Sequence, residues 1–144
     1  MRFAPPLFFS HSSNRCAPVT DYLTQADILA IHDDLIDRYG GSKGLRDPGQ
    51  LEAALFRPQT GYYDDLIAEA SALWESLAQN HPFVDGNKRI AFAGMYTFFA
   101  INGVTVTATA DQAWDFISGL YADGAFQYDR LEPWLREHTH GGGS

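Results

Sequence analysis

The chain is poor in cysteine and in positive charge, and both shortages limit what it can be. Cys16 is the single cysteine, so no disulfide can form within the chain, which suits a reducing compartment such as the cytoplasm. Ten Lys and Arg residues stand against eighteen Asp and Glu, which gives a formal net charge of -8. Because an acidic surface repels phosphate backbones, we expect no direct nucleic-acid partner, although a local basic pocket could still hold one nucleotide.

Long hydrophobic runs are also missing, so we expect a soluble protein without a membrane anchor. A short apolar patch near the N-terminus is split by Pro5 and Pro6, and we interpret residues 1–19 as a loosely ordered extension. The closing GGGS is typical of a flexible tail or linker remnant. We therefore place one folded domain at 20–139 and a tail at 140–144, with enough apolar residues for a single core.

Apolar residues recur with the 3.6-residue period of helices through most of the chain. This pattern predicts amphipathic helices near 25–39, 48–57, 64–80, 111–122 and 130–138, and one helix at 87–101 that is apolar almost all round. Pro133 should not lie inside the last helix, so we expect that helix to start at Glu132. VTVTATA, residues 104–110, alternates with period two and predicts a short strand. The fold class predicted is all-α: about six helices around a central buried helix, with at most a short β element.

The stretch NHPFVDGNKRIAFAG, which enters the central helix, concentrates chemically active residues. A helix N-terminus offers backbone N–H groups without internal partners and a partial positive charge. The stretch Asp85-Gly86-Asn87-Lys88-Arg89 builds a glycine-containing turn at this start, and such a turn can wrap an anion. Lys88 and Arg89 point about 100 degrees apart on the first helical turn, so they can grip an oligophosphate from two sides.

Asp85 and His81 add a metal ligand and a base to this anion cradle. A bare carboxylate repels phosphate, but Asp85 suits Mg²⁺, which takes one or two carboxylates together with phosphate oxygens. His81 is placed to take a proton from an attacking hydroxyl. Each residue alone has a structural explanation as a cap, a turn or a solvated face. Their combination, on a chain with few cations, indicates phosphoryl or nucleotidyl transfer.

At these residues the chain resembles a known family. HPFVDGNKR is similar to the signature of the Fic/Doc proteins, and the lysine after GN resembles the Doc (death-on-curing) toxin branch, because most Fic adenylyltransferases have GNGR. IHDDLIDRYGGSKGLRDPGQLEAALFRPQ resembles the N-terminal half of Doc, and INGVTV follows the central helix as in that group. The resemblance covers about residues 22–137 and implies the helical Fic fold.

For the Doc branch, the resemblance implies a kinase that uses Mg²⁺ and transfers the γ-phosphate of ATP to a threonine of elongation factor Tu, which stops translation. His81 would be the base and Asp85 the Mg²⁺ ligand, and the phosphates would be held by Gly86, Asn87, Lys88 and Arg89. A side chain at position 88 should narrow the anion pocket that seats the nucleotide in AMP-transferring Fic enzymes. This favours a nucleotide bound in the opposite orientation to the one in those enzymes. Two alternatives stay open: a Fic-type adenylyltransferase, and a catalytically idle Fic-fold interaction module.

The resemblance also bears on target binding and on inhibition. In the family, the segment GGSKGLRD (40–47) lies beside the active site, and Lys43 and Arg46 are candidates for target docking; an ordinary interhelical turn is the alternative. Many Fic enzymes carry an inhibitory S/T-xxx-E-G/N helix. The nearest match, SALWES at 71–76, lies within the third predicted helix, so we interpret Glu75 as an ordinary helical residue. Inhibition would then come from a partner, and the resemblance implies a Phd-type antitoxin whose disordered segment folds onto the toxin.

Overall fold

A computed structural model describes residues 19–141, so the extension predicted at the N-terminus lies almost wholly outside the described residues. The elements of this part are α1 (Gln25–Tyr39), α2 (Pro48–Phe56) with a 3-10 turn (Arg57–Gln59), α3 (Leu66–Asn80), α4 (Asn87–Ile101), β1 (Val104–Val106), α5 (Ala110–Ala122), α6 (Tyr128–Glu137) and β2 (Thr139–Gly141). This confirms the all-α bundle with a short β element. In this part of the chain, no helix combines the length and apolar character needed to cross a bilayer.

Four helices begin at a residue whose side chain caps the first turn. The caps are Thr24 for α1, Asp47 for α2, Asp65 for α3 and Thr109 for α5. Each cap oxygen accepts the backbone N–H three residues further on, which satisfies a donor that has no partner inside the helix. The central helix differs, because α4 begins after Gly86 and no side chain caps it. Its first N–H groups are therefore left for another acceptor.

The core is built around α4, whose buried residues are Ile90, Ala91, Ala93, Gly94, Met95, Thr97, Phe98 and Phe99. Both α1 and α3 pack against this helix. At Gly94 the packing leaves no room for a side chain, because a Cβ there would lie 2.8 Å from Leu77 Cδ1 and 3.2 Å from Ile28 Cδ1. Two neighbouring helices thus fix α4, and with it the loop that precedes it.

The last helix begins earlier than predicted, at Tyr128, and Pro133 lies inside it. The prediction of a start at Glu132 is therefore wrong. Proline removes one helical hydrogen bond. Leu131 and Leu135 on either side of it are fully buried, and α6 packs against α3, so tertiary packing outweighs the lost bond.

The end of the described chain pairs with the strand that follows α4. β1 and β2 are antiparallel, with Val104 opposite Gly141 and Val106 opposite Thr139. β2 therefore lies across the domain boundary that we placed after residue 139. β1 stops at Val106, shorter than the predicted 104–110, because its partner strand is only three residues long.

Candidate active site

The candidate site lies in the loop between α3 and α4, where His81 ends α3. Its backbone is left-handed, with φ 47° and ψ 56°, and among residues 19–141 it is the one residue other than glycine with a positive φ. Histidine is one of the few residue types found repeatedly in this region. The conformation stops α3 and leaves His81 exposed.

Arg46 supports this unusual turn from the 40–47 loop. Its Nε donates to the carbonyl oxygen of His81 at 2.7 Å, and its Nη2 donates to the carbonyls of His81 and, at 3.1 Å, of Asn80. A cation that binds the last carbonyls of a helix satisfies them and complements the helix dipole. The sequence suggests Arg46 for target docking, and here its guanidinium is engaged by the end of α3.

The rest of the 40–47 loop pairs with the motif in the manner of a β-bridge. Leu45 and Phe83 form the bridge, and Val84 N–H donates to the Gly44 carbonyl at 3.0 Å. Lys43 lies in the same loop and pairs with Asp37 at 3.0 Å, with both side chains largely exposed. Its hydrogen bond to Asp37 raises the pKa of Lys43, so the ammonium stays charged. Of the two cations proposed for target docking, Lys43 is thus the one held only by a surface pair.

Asp85 accepts hydrogen bonds with three oxygens. Its Oδ1 accepts the N–H of Gly86 at 2.8 Å, and its Oδ2 accepts the N–H of Ser42 at 3.2 Å. Its backbone carbonyl lies 2.7 Å from Nε2 of His32 on α1. Asp85 itself is exposed and lines the same cleft as His81. The carboxylate is therefore oriented by backbone donors while it remains accessible to a cation.

The side chain of Asn87 bonds the backbone of the loop that precedes α4. Its Oδ1 accepts the N–H of Phe83 at 3.0 Å, and its Nδ2 donates to the carbonyl of Phe83 at 3.0 Å. Phe83 is only 1% exposed, so this clamp ties the loop to the core. Since the side-chain amide is used in this way, the contact of Asn87 with a phosphate would come from its backbone N–H.

Lys88 and Arg89 lean towards different helices, as their spacing predicts. The Nζ of Lys88 lies 4.2 Å from the centroid of the Tyr121 ring on α5, and the Cζ of Arg89 lies 4.8 Å from that of Tyr39 at the end of α1. Both are cation–π contacts. Burial raises the pKa of Tyr121, so its ring stays neutral beside the ammonium at physiological pH. The start of α4 thus carries one cation towards α5 and one towards α1.

Comparison with known proteins assigns this loop to a family. The sequence profile of the Fic/DOC family matches residues 22–99, which is more than half of the chain and includes the whole of 81–89. This chain belongs to the Fic/Doc family. Toxin Doc of Mycolicibacterium smegmatis is 45% identical over 98 residues, 65% of this chain and 73% of that protein. Protein kinase doc of Escherichia phage P1 is 37% identical over 89 residues, 59% of this chain and 71% of the relative. Both relatives place the chain on the Doc branch.

A cleft of about 1430 Å³ extends from the Fic/Doc motif along α4. Its lining includes His81, the stretch 84–89, Phe92 and Tyr96 of α4, and Trp114 and Tyr121 of α5. Trp114 is 69% exposed, which is unusual for the largest apolar side chain. The motif therefore opens into a groove with an aromatic wall.

Sequence reasoning missed one residue beneath the Fic/Doc motif, His32. It is 1% exposed, and its ring stacks on Phe83 with centroids 3.8 Å apart and an interplanar angle of 9°. The signal for it was present, because His32 falls on the apolar face of α1 between Ile28 and Ile36. A buried histidine needs a hydrogen-bond partner, but the sequence does not say which.

Glu75, the nearest match to the inhibitory glutamate of Fic enzymes, has a structural role. Its Oε1 pairs with Nη1 of Arg57 at 2.6 Å, and its Oε2 accepts the N–H of Tyr128 at 2.7 Å. It therefore connects the end of α2 to the start of α6. This agrees with the interpretation of 71–76 as ordinary helix.

Proposed function

We propose that this Fic/Doc protein is a Doc-like toxin, a kinase that transfers the γ-phosphate of ATP to a hydroxyl of a translation factor of the elongation factor Tu class. Translation in the cytoplasm would then stop. One observation carries the proposal: the buried helix α4 starts without a side-chain cap in a cleft that also holds His81, Asp85 and two cations. The relatives named a toxin and a protein kinase support the same assignment.

The phosphates of ATP would bind at the start of α4. The N–H groups of its first turn point out of the helix end, and the helix dipole favours a negative charge there. Arg89 has a planar guanidinium that can take two phosphate oxygens at once, while Lys88 adds a compact charge from the other side. Gly86, with φ 78°, lets the backbone turn tightly enough for an anion to approach.

His81 would act on the target hydroxyl. Its neutral imidazole takes the proton as the hydroxyl oxygen attacks the γ-phosphorus. The new bond joins that oxygen to phosphorus, the bond to the bridging oxygen of the β-phosphate breaks, and ADP leaves. Since phosphoryl transfer requires little covalent chemistry from the protein, most of the acceleration comes from position and charge.

Asp85 is the residue that would hold Mg²⁺. Among residues 19–141 there is no group of three His, Cys, Asp or Glu side chains that could bind a metal by themselves. A single accessible carboxylate beside a phosphate cradle fits Mg²⁺, which completes its shell with phosphate oxygens and water. When bound, the ion neutralises charge on the phosphates.

A Phd-type antitoxin is the partner we propose for inhibition. The cleft beside the motif offers it an apolar groove between α4 and α5, with Trp114 exposed in its wall. A segment that is disordered alone can fold as an amphipathic helix in such a groove, and exposed Trp residues often anchor these interfaces. A helix seated there would also cover the phosphate cradle, because the groove is continuous with it. Lys43 stays the candidate for contact with the translation factor.

The assignment is tested by incubating the protein with Mg²⁺, elongation factor Tu and ATP labelled at either the α or the γ phosphate. Label on the translation factor only from γ-labelled ATP is the expected result. Retention of the α label would instead establish an adenylyltransferase. His81→Ala should reduce transfer by at least about 100-fold, and Arg89→Ala should abolish nucleotide use while the protein stays folded. If growth arrest survives His81→Ala, the idle interaction module is correct and the kinase proposal fails.

A further inference from the structure

We propose that His32 is a positioning residue for the transfer reaction: through the Asp85–Gly86 peptide it fixes the carboxylate that faces the cleft. This inference rests on the proposed function for its chemical meaning, although the geometry behind it is independent of the reaction. His32 does not line the cleft and is not expected to touch ATP or the target.

The hydrogen bond to Asp85 fixes which ring nitrogen of His32 carries a hydrogen. Its Nε2 lies 2.7 Å from the carbonyl oxygen of Asp85, and a carbonyl can only accept a hydrogen bond. Nε2 therefore carries a hydrogen and donates it. The ring is held flat against Phe83 at a centroid distance of 3.8 Å, so the donor cannot swing away without unstacking. With 1% of its surface exposed, the His32 side chain is itself shielded from solvent.

The peptide between Asp85 and Gly86 receives this bond. The carbonyl of Asp85 and the N–H of Gly86 belong to one planar trans unit, so they point in opposite directions. When His32 holds the carbonyl towards α1, the Gly86 N–H must point the other way. It donates there to Oδ1 of Asp85 at 2.8 Å. A donor on α1 thus sets the orientation of a carboxylate oxygen through one rigid peptide.

The turn at Gly86 fits closely against α1. A Cβ added at Gly86 would lie 3.6 Å from Nε2 of His32 and 3.4 Å from Cδ1 of Ile36. The turn therefore packs directly against α1, and the hydrogen bond from His32 sets the orientation of the Asp85–Gly86 peptide. Groups that orient a metal-binding carboxylate typically change metal affinity or activity by about 10-fold to 100-fold when removed.

Two substitutions separate positioning from simple core filling. His32→Phe keeps a flat ring on Phe83 but removes the donor, whereas His32→Gln removes the ring and places an amide donor near the position of Nε2. His138→Phe is the matched control, because His138 also stacks on an aromatic ring, Trp134, and its Nδ1 bonds a carbonyl. His138 lies at the end of α6 and does not line the cleft.

The first measurement needs no activity: the backbone amide resonance of Gly86, observed in ¹⁵N-labelled protein. We expect His32→Phe to shift this resonance and to speed its hydrogen exchange, and His32→Gln and His138→Phe to leave it close to wild type. A Gly86 amide that is unchanged in His32→Phe would overturn the inference, whatever the protein does with ATP.

The second measurement is calorimetric binding of a non-hydrolysable ATP analogue at graded Mg²⁺ concentrations. For His32→Phe we expect the Mg²⁺ concentration at half-maximal binding to rise by about tenfold or more relative to wild type. For His32→Gln we expect this concentration to lie within about threefold of the wild-type value. If both variants lose nucleotide binding equally, and in proportion to a lowered thermal midpoint, then His32 has only a structural role. If wild type binds no nucleotide while the Gly86 amide responds as expected, the proposed function fails and the positional role of His32 stands.

Discussion

Nε of Arg46 lies 2.7 Å from the carbonyl oxygen of His81, so the backbone of the proposed base is held by a cation from a neighbouring loop. The same loop reaches the proposed metal ligand, because the N–H of Ser42 donates to Oδ2 of Asp85 at 3.2 Å. One loop therefore bonds both functional residues that precede α4. The loop considered for target docking therefore also supports the site.

Replacement of Arg46 should reduce transfer more than it reduces stability. Arg46→Ala removes the donors that hold the left-handed turn at His81, and because Arg46 is exposed we expect a loss of about 1 kcal/mol in the free energy of unfolding. Transfer should fall further than the folded fraction, since His81 is free to turn. Urea unfolding and γ-phosphate transfer measure the two effects. Arg46→Lys keeps the positive charge but loses the paired N–H donors of the guanidinium. Full activity in Arg46→Ala would contradict the positional role.

Alanine at Gly41 should weaken nucleotide binding more than alanine at its neighbour Gly40. Both have a positive φ, 114° and 85°, so alanine is strained at either position. A Cβ at Gly41 would lie 2.7 Å from Oδ2 of Asp85, whereas nothing lies within 4 Å of one at Gly40. Gly41→Ala should therefore displace the carboxylate and weaken Mg²⁺-dependent nucleotide binding, with Gly40→Ala as the control for backbone strain. Equal binding by the two variants would show that Asp85 moves without consequence.

The features that could be predicted from the sequence are those decided by nearby residues. Thr24 and Asp47 mark the starts of α1 and α2 because a cap bonds an N–H only three residues away. The start of α4 is equally local, since Gly86 supplies the left-handed turn and no cap. The candidate residues of the motif can be named from their chemistry, because all of them lie within the nine positions 81–89.

The features that were missed depend on distant parts of the chain. The bond from His32 to Asp85 spans 53 residues, and that from Arg46 to His81 spans 35. No periodic pattern encodes such pairs. Pro133 shows the converse case, in which a local rule for proline was overruled by the burial of Leu131 and Leu135.

The ion pair between Asp65 and Arg136 should make stability depend on pH in the acid range. The hydrogen bond from Arg136 lowers the pKa of Asp65, which also caps α3. A lowered pKa gives stability that is fully present above the ordinary value of about 3.8 and is lost as pH falls through the folded value. Because both side chains are partly exposed, we expect no more than about 1 kcal/mol.

Thermal midpoints of wild type and Asp65→Asn, measured from pH 7 to pH 2.5, test this expectation. Asparagine keeps the cap but not the charge. Wild type should be the more stable protein at neutral pH, and its advantage should shrink as pH falls below the ordinary pKa of Asp65 and disappear below the lowered, folded-state pKa. An advantage that persists at the lowest pH would show that the pair contributes nothing through its charge.

Thr97 should tolerate loss of its hydroxyl. It is fully buried in α4, and within residues 19–141 its Oγ1 is the one buried side-chain oxygen or nitrogen without a hydrogen-bond partner. Thr97→Val replaces the hydroxyl by a methyl group of similar size and should raise the free energy of unfolding by up to about 1 kcal/mol. Thr97→Ser keeps the hydroxyl, removes a methyl group and should lower it by about 1 kcal/mol. Destabilisation by valine would reveal a partner for this oxygen.

Lys88 should determine which phosphate of ATP is transferred. Its Nζ lies over the ring of Tyr121, so its side chain occupies the α5 side of the cradle, where most Fic adenylyltransferases have only glycine. Lys88→Gly should open that side and increase the label retained on elongation factor Tu from α-labelled ATP, at the expense of label from γ-labelled ATP. Lys88→Ala removes the charge but keeps Cβ, which separates the effect of space from that of the ammonium. If both variants still transfer only the γ-phosphate, then nucleotide orientation is set by the rest of the cleft and the lysine serves only to bind phosphate.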